Sequence, residues 1–368
     1  MQRVMVDWRG MAVEAVVPPQ IAAWRPDLSV SSARRTEQAA AAVIRAGDRA
    51  TGHLEVAARL LLRAEGMASS AIEGLRAAAA DVAIAEAADT ADTTASWVAD
   101  NLAVVAVALE DPGPLDGTLL KSWHSRLMRN STTTEERHIG EYRDELGWVG
   151  GSNPRMATHV AAPEALIAVA MEDLFTFAAR DDIDPVTQAA IVHAHFETIH
   201  PFADGNGRLG RVLIGRLLRQ RLGVSVPPPV SLQMARDVGG YQAGLTLYRQ
   251  DQLEPWVNWF ADAVTAAAES ASDVLAAVDG LLQRWRAEMV AVRRDSAAWV
   301  LLELLPAHPV VLTATAAELT GVTRRAADDA VKALQKRGIL VDAGAVRSGR
   351  GRPARWWVAS DLLALLGR

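Results

Sequence analysis

Twelve residues, His200-Pro-Phe-Ala-Asp-Gly-Asn-Gly-Arg-Leu-Gly-Arg211, constrain this chain more than any other stretch. They hold one group that can take a proton near neutral pH (His200), one carboxylate (Asp204), a small-residue loop (Gly205-Asn206-Gly207) and two guanidiniums (Arg208, Arg211). Glycines on either side of an asparagine permit positive φ and close approach, so successive N–H groups can converge on an anion. The apolar positions that follow, Leu209, Val212, Leu213, Leu217 and Leu218, are spaced as one face of a helix. The loop therefore opens a helix whose N-terminal amides favour a phosphate. Arg208 and Arg211, three residues apart, can engage two oxygens of a phosphate chain. Asp204 is placed to hold a hydrated Mg²⁺ against the same phosphates. An unperturbed imidazole titrates at ~6.5, so a histidine such as His200 can serve as a general base toward a hydroxyl. Taken singly, each residue also fits a plain glycine turn between helices. Together they suit a nucleotide polyphosphate.

The stretch resembles the signature of the Fic-domain family, His-x-Phe-x-Asp/Glu-Gly-Asn-Gly-Arg-x-x-Arg, with every fixed position present. The resemblance implies a mainly α protein: a helical core with a short β-hairpin flap, and transfer of AMP from ATP to a Ser, Thr or Tyr hydroxyl of a target protein. It makes His200 the base, Asp204 the Mg²⁺ ligand, Gly205, Asn206 and Gly207 the phosphate hole, and Arg208 and Arg211 the grips on the β and γ phosphates. Phe202 becomes a core anchor for the loop.

Ser69-Ser-Ala-Ile-Glu73-Gly74 reads as a short helix starting near Ser69 and running into a glycine cap. It is similar to the Ser-x-x-x-Glu-Gly inhibitory helix of one subgroup of that family. The resemblance implies that Glu73 pairs with Arg211, which removes the γ-phosphate's partner and repels an anion, so the expected state is self-inhibited. Two rivals stand beside AMP transfer: removal of AMP by the same site, and a DNA-binding regulator whose core senses nucleotide.

Composition bounds the rest. Half of the 368 residues are hydrophobic, 22% are charged, and cysteine is absent, so no disulfide or thiolate site exists. The first residues lack a signal-like apolar run and no stretch of about 18 apolar residues occurs, which points to a cytoplasmic protein without a membrane partner. Residues 1–30, with Pro18, Pro19 and Pro26, read as an extended lead-in or a loose tail, and 34–63 and 75–110 as Ala-rich helix. The apolar pieces at 148–163 around a Gly/Asn/Pro turn read as a hairpin, an ordinary one or the flap that holds a target segment by strand addition. His159 is expected on its surface. Asp184-Pro185 starts the helix that delivers His200. His193 and His195, two apart, point to different faces and do not converge on one ion. Tyr241 and Tyr248 either line an adenine or ribose pocket or pack between helices.

The last segment changes sign. Residues 297–368 carry ten Lys and Arg against six Asp and Glu, or +4, leaving −10 of the net −6 for residues 1–296. Three short helices and two strands around 348–353 are similar to a winged helix-turn-helix. Duplex DNA would be met by Arg324, Arg325, Arg350 and Arg352. Asp328 and Asp329 on the same helix count against DNA, and the alternative, a protein contact or a second copy of the chain, stands beside it. The expected division is 1–110 (N-terminal helical region with the inhibitory helix), 111–265 (core), 266–296 (linker helix) and 297–368 (winged helix).

Overall fold

The computed structural model describes the whole chain apart from residues 51, 89–92, 347–353 and 368. It is mainly helical with three small antiparallel sheets. The chain begins not with an extended lead-in but with a hairpin, β1 (Gln2–Trp8) and β2 (Met11–Val17). Arg9 and Gly10 both take left-handed φ in the two-residue turn, which matches the twist of the strands. Val13 and Ala15 point inward from β2, an alternation that the flanking prolines obscured. Helix α1 (Val30–Arg49) starts on the hydroxyl of Ser29, and α2 (Ala58–Ile72) follows. The segment expected as one Ala-rich helix is two, α3 (Ala79–Ala88) and α4 (Thr94–Glu110), the second opened by a Thr93–Ser96 capping box.

Next come α5 (Gly117–Leu127), a hairpin of β3 (Trp148–Val149) and β4 (His159–Val160), and α6 (Ile167–Ala178). Helix α7 (Pro185–Ile199) is capped by Asp184, whose carboxylate accepts from Thr187 N–H at 2.7 Å. It leads through the signature loop into α8 (Asn206–Leu222). Then follow α9 (Val230–Arg236), α10 (Val238–Arg249) and α11 (Leu253–Glu288). At 36 residues α11 runs unbroken across the expected boundary at 265/266. Its first half packs in the same core as α7 and α8, and its second half, from Ala271 to Trp285, belongs to a second core.

Around that second core lie α12 (Ala297–Leu304), β5 (Val310–Leu312), α13 (Thr313–Thr320), α14 (Arg324–Gln335), β7 (Ala354–Val358) and α15 (Ser360–Leu363), with β6 (Val341–Val346) paired to β7 at its edge. The sheet order is β5-β7-β6, so a third strand joins the two expected. Leu60 and Leu61 of α2 also lie in this core, although the C-terminal end of α2 reaches the other one.

Close approach of α7 and α8 fixes the loop between them. Gly210 makes it possible: a Cβ there would lie 2.7 Å from Glu197 Oε1 and 3.0 Å from His193 Nδ1. Gly210→Ala should therefore destabilise the fold by about 1–3 kcal/mol. A urea denaturation midpoint equal to the parent's would show that α7 and α8 can part at no cost.

Candidate active site

Helix α7 ends on His200, a non-glycine residue in the left-handed region (φ 50°, ψ 62°). Such a conformation persists only where neighbours determine it. Arg143 does so. Its Nε donates to His200 O at 2.8 Å, its Nη2 to Ala162 O and Ile199 O, its Nη1 to Glu145 O, and its backbone N–H to Pro201 O at 2.9 Å. Burial lowers this guanidinium to about 10, still charged at neutral pH.

After the turn, Asn206 closes the loop on itself. Its Oδ1 accepts from Phe202 N–H at 2.9 Å and its Nδ2 donates to Phe202 O at 2.8 Å. The Asn206 side chain is thus spent on the loop, leaving its backbone as the part that can meet a ligand. Phe202 is fully buried and stacks on His124 with ring centroids 4.0 Å apart. Burial lowers the His124 imidazole to about 4, so the ring is neutral: Nδ1 accepts from Gly140 N–H and Nε2 donates to Asp204 O. Gly205 is left-handed at φ 78°. Asp204 accepts from Gly205 N–H, and its side chain is 49% exposed.

The two arginines differ. Arg208 is buried, contacts Met128 Sδ at 3.6 Å and lies 3.7 Å from Asp204 Oδ1. Arg211, 1% exposed, meets three acceptors on the last turn of α2: Ser69 Oγ (2.9 Å), Ser69 O (2.8 Å) and Glu73 Oε1 (2.7 Å). Burial works against its charge most strongly of any one cause, but Glu73, Tyr241 and Glu197 together more than offset it and raise its pKa further. Ser69 and Glu73 are not a separate short helix, as expected, but the end of the fifteen-residue α2. The helix stops in a Schellman motif, with Leu75 N–H on Ser70 O, Gly74 N–H on Ala71 O, and Gly74 at φ 81°. Glu73 also occupies the space where a Gly207 side chain would be: a Cβ there would meet Glu73 Oε1 at 2.1 Å. A carboxylate therefore stands at the N-terminal turn of α8, where an anion is favoured.

His200 Nδ1 is buried and 3.7 Å from Glu197 Oε2. Burial would raise the Glu197 carboxyl, yet His200, His193 and Arg211 around it hold it down to about 2. Tyr241 and Tyr248 are in the core, with hydroxyls 2.9 Å from His193 Nε2 and His195 Nδ1. Both pack between helices, and Tyr241 also neighbours Arg211. His159 is not on the surface: it is 97% buried beneath β2, and its Nε2 donates to Thr198 O at 3.0 Å. Arg324 and Arg325 are exposed at the start of α14, whereas Arg350 and Arg352 lie outside the described residues.

Residues 114–218, which include this whole loop, match the model of the Fic/DOC family. The chain carries a Fic domain. Its relatives include the protein adenylyltransferase Fic of Drosophila willistoni, 32% identical over 126 residues, covering 33% of this chain and 23% of the relative. The protein adenylyltransferase fic-1 of Caenorhabditis elegans is 32% identical over 138 residues, covering 38% and 25%. The chain thus spans about a quarter of the length of the curated relatives it matches. Two solved structures share the fold. A Fic family protein of Desulfovibrio desulfuricans G20 aligns with a TM-score of 0.58 at 20% identity, over 91% of this chain and 98% of that one. Fic-1 of C. elegans (residues 134–508) aligns with a TM-score of 0.53 at 18% identity, over 67% and 74%. The match to the Fic family model begins after α2, so the helix bearing Ser69, Glu73 and Gly74 lies outside it.

Burial leaves four histidines of this Fic domain and its surroundings neutral: His124 and His193 fall to about 4, His159 and His195 to about 3. Unfolded, each would take a proton near 6.5. Between those values the unfolded state binds more protons, so stability falls as pH drops through the window. The urea midpoint should decline steadily from about pH 7 to about pH 5, each histidine contributing about 1–2 kcal/mol at the lower end. His195→Gln should remove its share of that slope. A flat profile would mean that these rings protonate in place.

Proposed function

We propose that the chain transfers AMP from ATP to a hydroxyl side chain of a target protein, and that Glu73 holds it inhibited. The observation that carries this is the ion pair of Glu73 with the buried Arg211, at 2.7 Å, on the anion-favouring turn of the signature loop. The names of the matched relatives support the same activity.

In the reaction, a target hydroxyl oxygen attacks the ATP α-phosphorus while the bond to the bridging oxygen of pyrophosphate breaks. His200 takes the hydroxyl proton. Its Nδ1 is buried toward the Glu197 carboxylate, which favours the Nδ1–H tautomer and leaves Nε2 as the base. Glu197 would then stabilise the imidazolium that forms, as a third group orients the base in triad chemistry. The backbone of Gly205–Gly207, Arg208 and Arg211 would hold the phosphates, so catalysis is mostly positioning and charge stabilisation. Asp204, a half-exposed carboxylate beside that loop, has the hard oxygen chemistry that would hold a Mg²⁺. The ion would supply charge neutralisation on the leaving pyrophosphate. With Glu73 in place, a γ-phosphate loses its guanidinium and meets a like charge.

α-Labelled ATP with Mg²⁺ tests this directly. Glu73→Gly should label itself or lysate proteins at least about tenfold above the parent, in line with a lost charge-assisted contact. Adding His200→Ala should cut that by roughly 10²–10⁴. Silence from the Glu73 variant, despite ATP binding, would turn the reading to AMP removal.

A further inference from the structure

A polar cavity of about 410 Å³ lies between the N-terminal hairpin, the β3–β4 flap and α10. The hairpin is a wall of it: Val13 and Ala15 of β2 form a small core with Val160 of β4, and Trp8 meets Trp148 edge to face at 6.0 Å. Strands β2 and β4 nevertheless belong to separate sheets.

The lining is cationic in an acidic chain. It includes Arg3, Arg155 and Arg249 against one carboxylate, Glu14, which is already paired with Arg3 at 2.5 Å. Arg155 and Arg249 therefore remain. The Arg155 guanidinium is exposed and has no hydrogen bond or ion pair among the described residues. Arg249 is largely buried, donates one bond to Glu197 O, and its buried Nε has no partner. The Glu197 carboxylate is near enough to favour the Arg249 charge but makes no bond to it, so this desolvated guanidinium keeps donor capacity to spare.

His159 adds a group of opposite kind. It is 97% buried, lines the cavity, and is held neutral by burial. Since its Nε2 donates to Thr198 O, its Nδ1 is an acceptor, and that atom is buried without a partner. The cavity thus offers two cations and one neutral acceptor. An acidic residue in an extended polypeptide carries the complement: a carboxylate for the guanidiniums and a backbone N–H for the imidazole. Arg249 and His159 both bond to carbonyls in the last turn of α7, the helix that ends on His200. A segment seated here lies beside the base.

We propose that this cavity recognises an acidic residue of the target polypeptide near the hydroxyl to be modified. The proposal rests on the reading that the substrate is a protein.

The test is a binding measurement that needs no turnover. Fluorescein-labelled pools of short Ala/Gly/Ser peptides with one fixed Glu, Gln or Lys are titrated with the full chain, read by fluorescence anisotropy. The Glu pool should bind about tenfold tighter than the Gln pool, as a charge-assisted contact implies. Arg249→Gln should reduce that ratio. Arg155→Glu, a change on the surface, should reverse it in favour of the Lys pool, a gain that misfolding cannot mimic. Equal affinity for the Glu and Gln pools, or binding of neither, overturns the proposal. A Glu preference in a chain whose Glu73→Gly form labels nothing would leave this site standing and remove the transfer reading instead.

Discussion

A guanidinium buried to 1% exposure must be given acceptors, and the way Arg211 receives them shapes everything around the candidate site. All three of its acceptors in α2 come from one helical turn. That turn can present them only because α2 stops at Gly74, whose left-handed backbone ends the helix just as Glu73 reaches the loop. Gly207 must in turn lack a side chain, since the Glu73 carboxylate fills that space. Two glycines and a serine are thus set by one buried charge. The half-exposure of the Glu73 side chain, at 40%, leaves that charge reachable from solvent on one side.

The left-handed turn at His200 is a second dependency, and Arg143 sustains it. A single side chain ties the carbonyls of Glu145, Ala162, Ile199 and His200, so the flap region and the end of α7 share one fixed point. His200 is therefore positioned by a residue far from it in sequence. His124 does the same for the other side of the loop, bridging Gly140 and Asp204 through a neutral ring.

What could be read from the sequence was local. The residues from His200 to Arg211 form a contiguous loop and helix start, so their types and spacing stated their arrangement directly. The pairing of Glu73 with Arg211 spans 138 positions and came from resemblance rather than from pattern. Arg143 and His124 went unnoticed because their roles consist of bonds to backbone carbonyls and amides, which leave no periodic or motif signal. His159 looked superficial because a two-residue strand shows no alternation, and nothing in the flap foretold that β2 would cover it. The tyrosines were ambiguous for a physical reason: packing and pocket lining use the same side chain at the same helical spacing. The hairpin at the N-terminus was hidden by prolines that lie just beyond it.

Helix α2 belongs to two cores at once. Its early leucines, Leu60 and Leu61, are buried with α12–α15, and its last turn closes on Arg211. A helix of fifteen residues, about 22 Å long, transmits displacement from one end to the other rather than absorbing it. The two cores are therefore linked through α2 as well as through α11. Any coupling between the two ends of α2 acts by the same free energy in each direction.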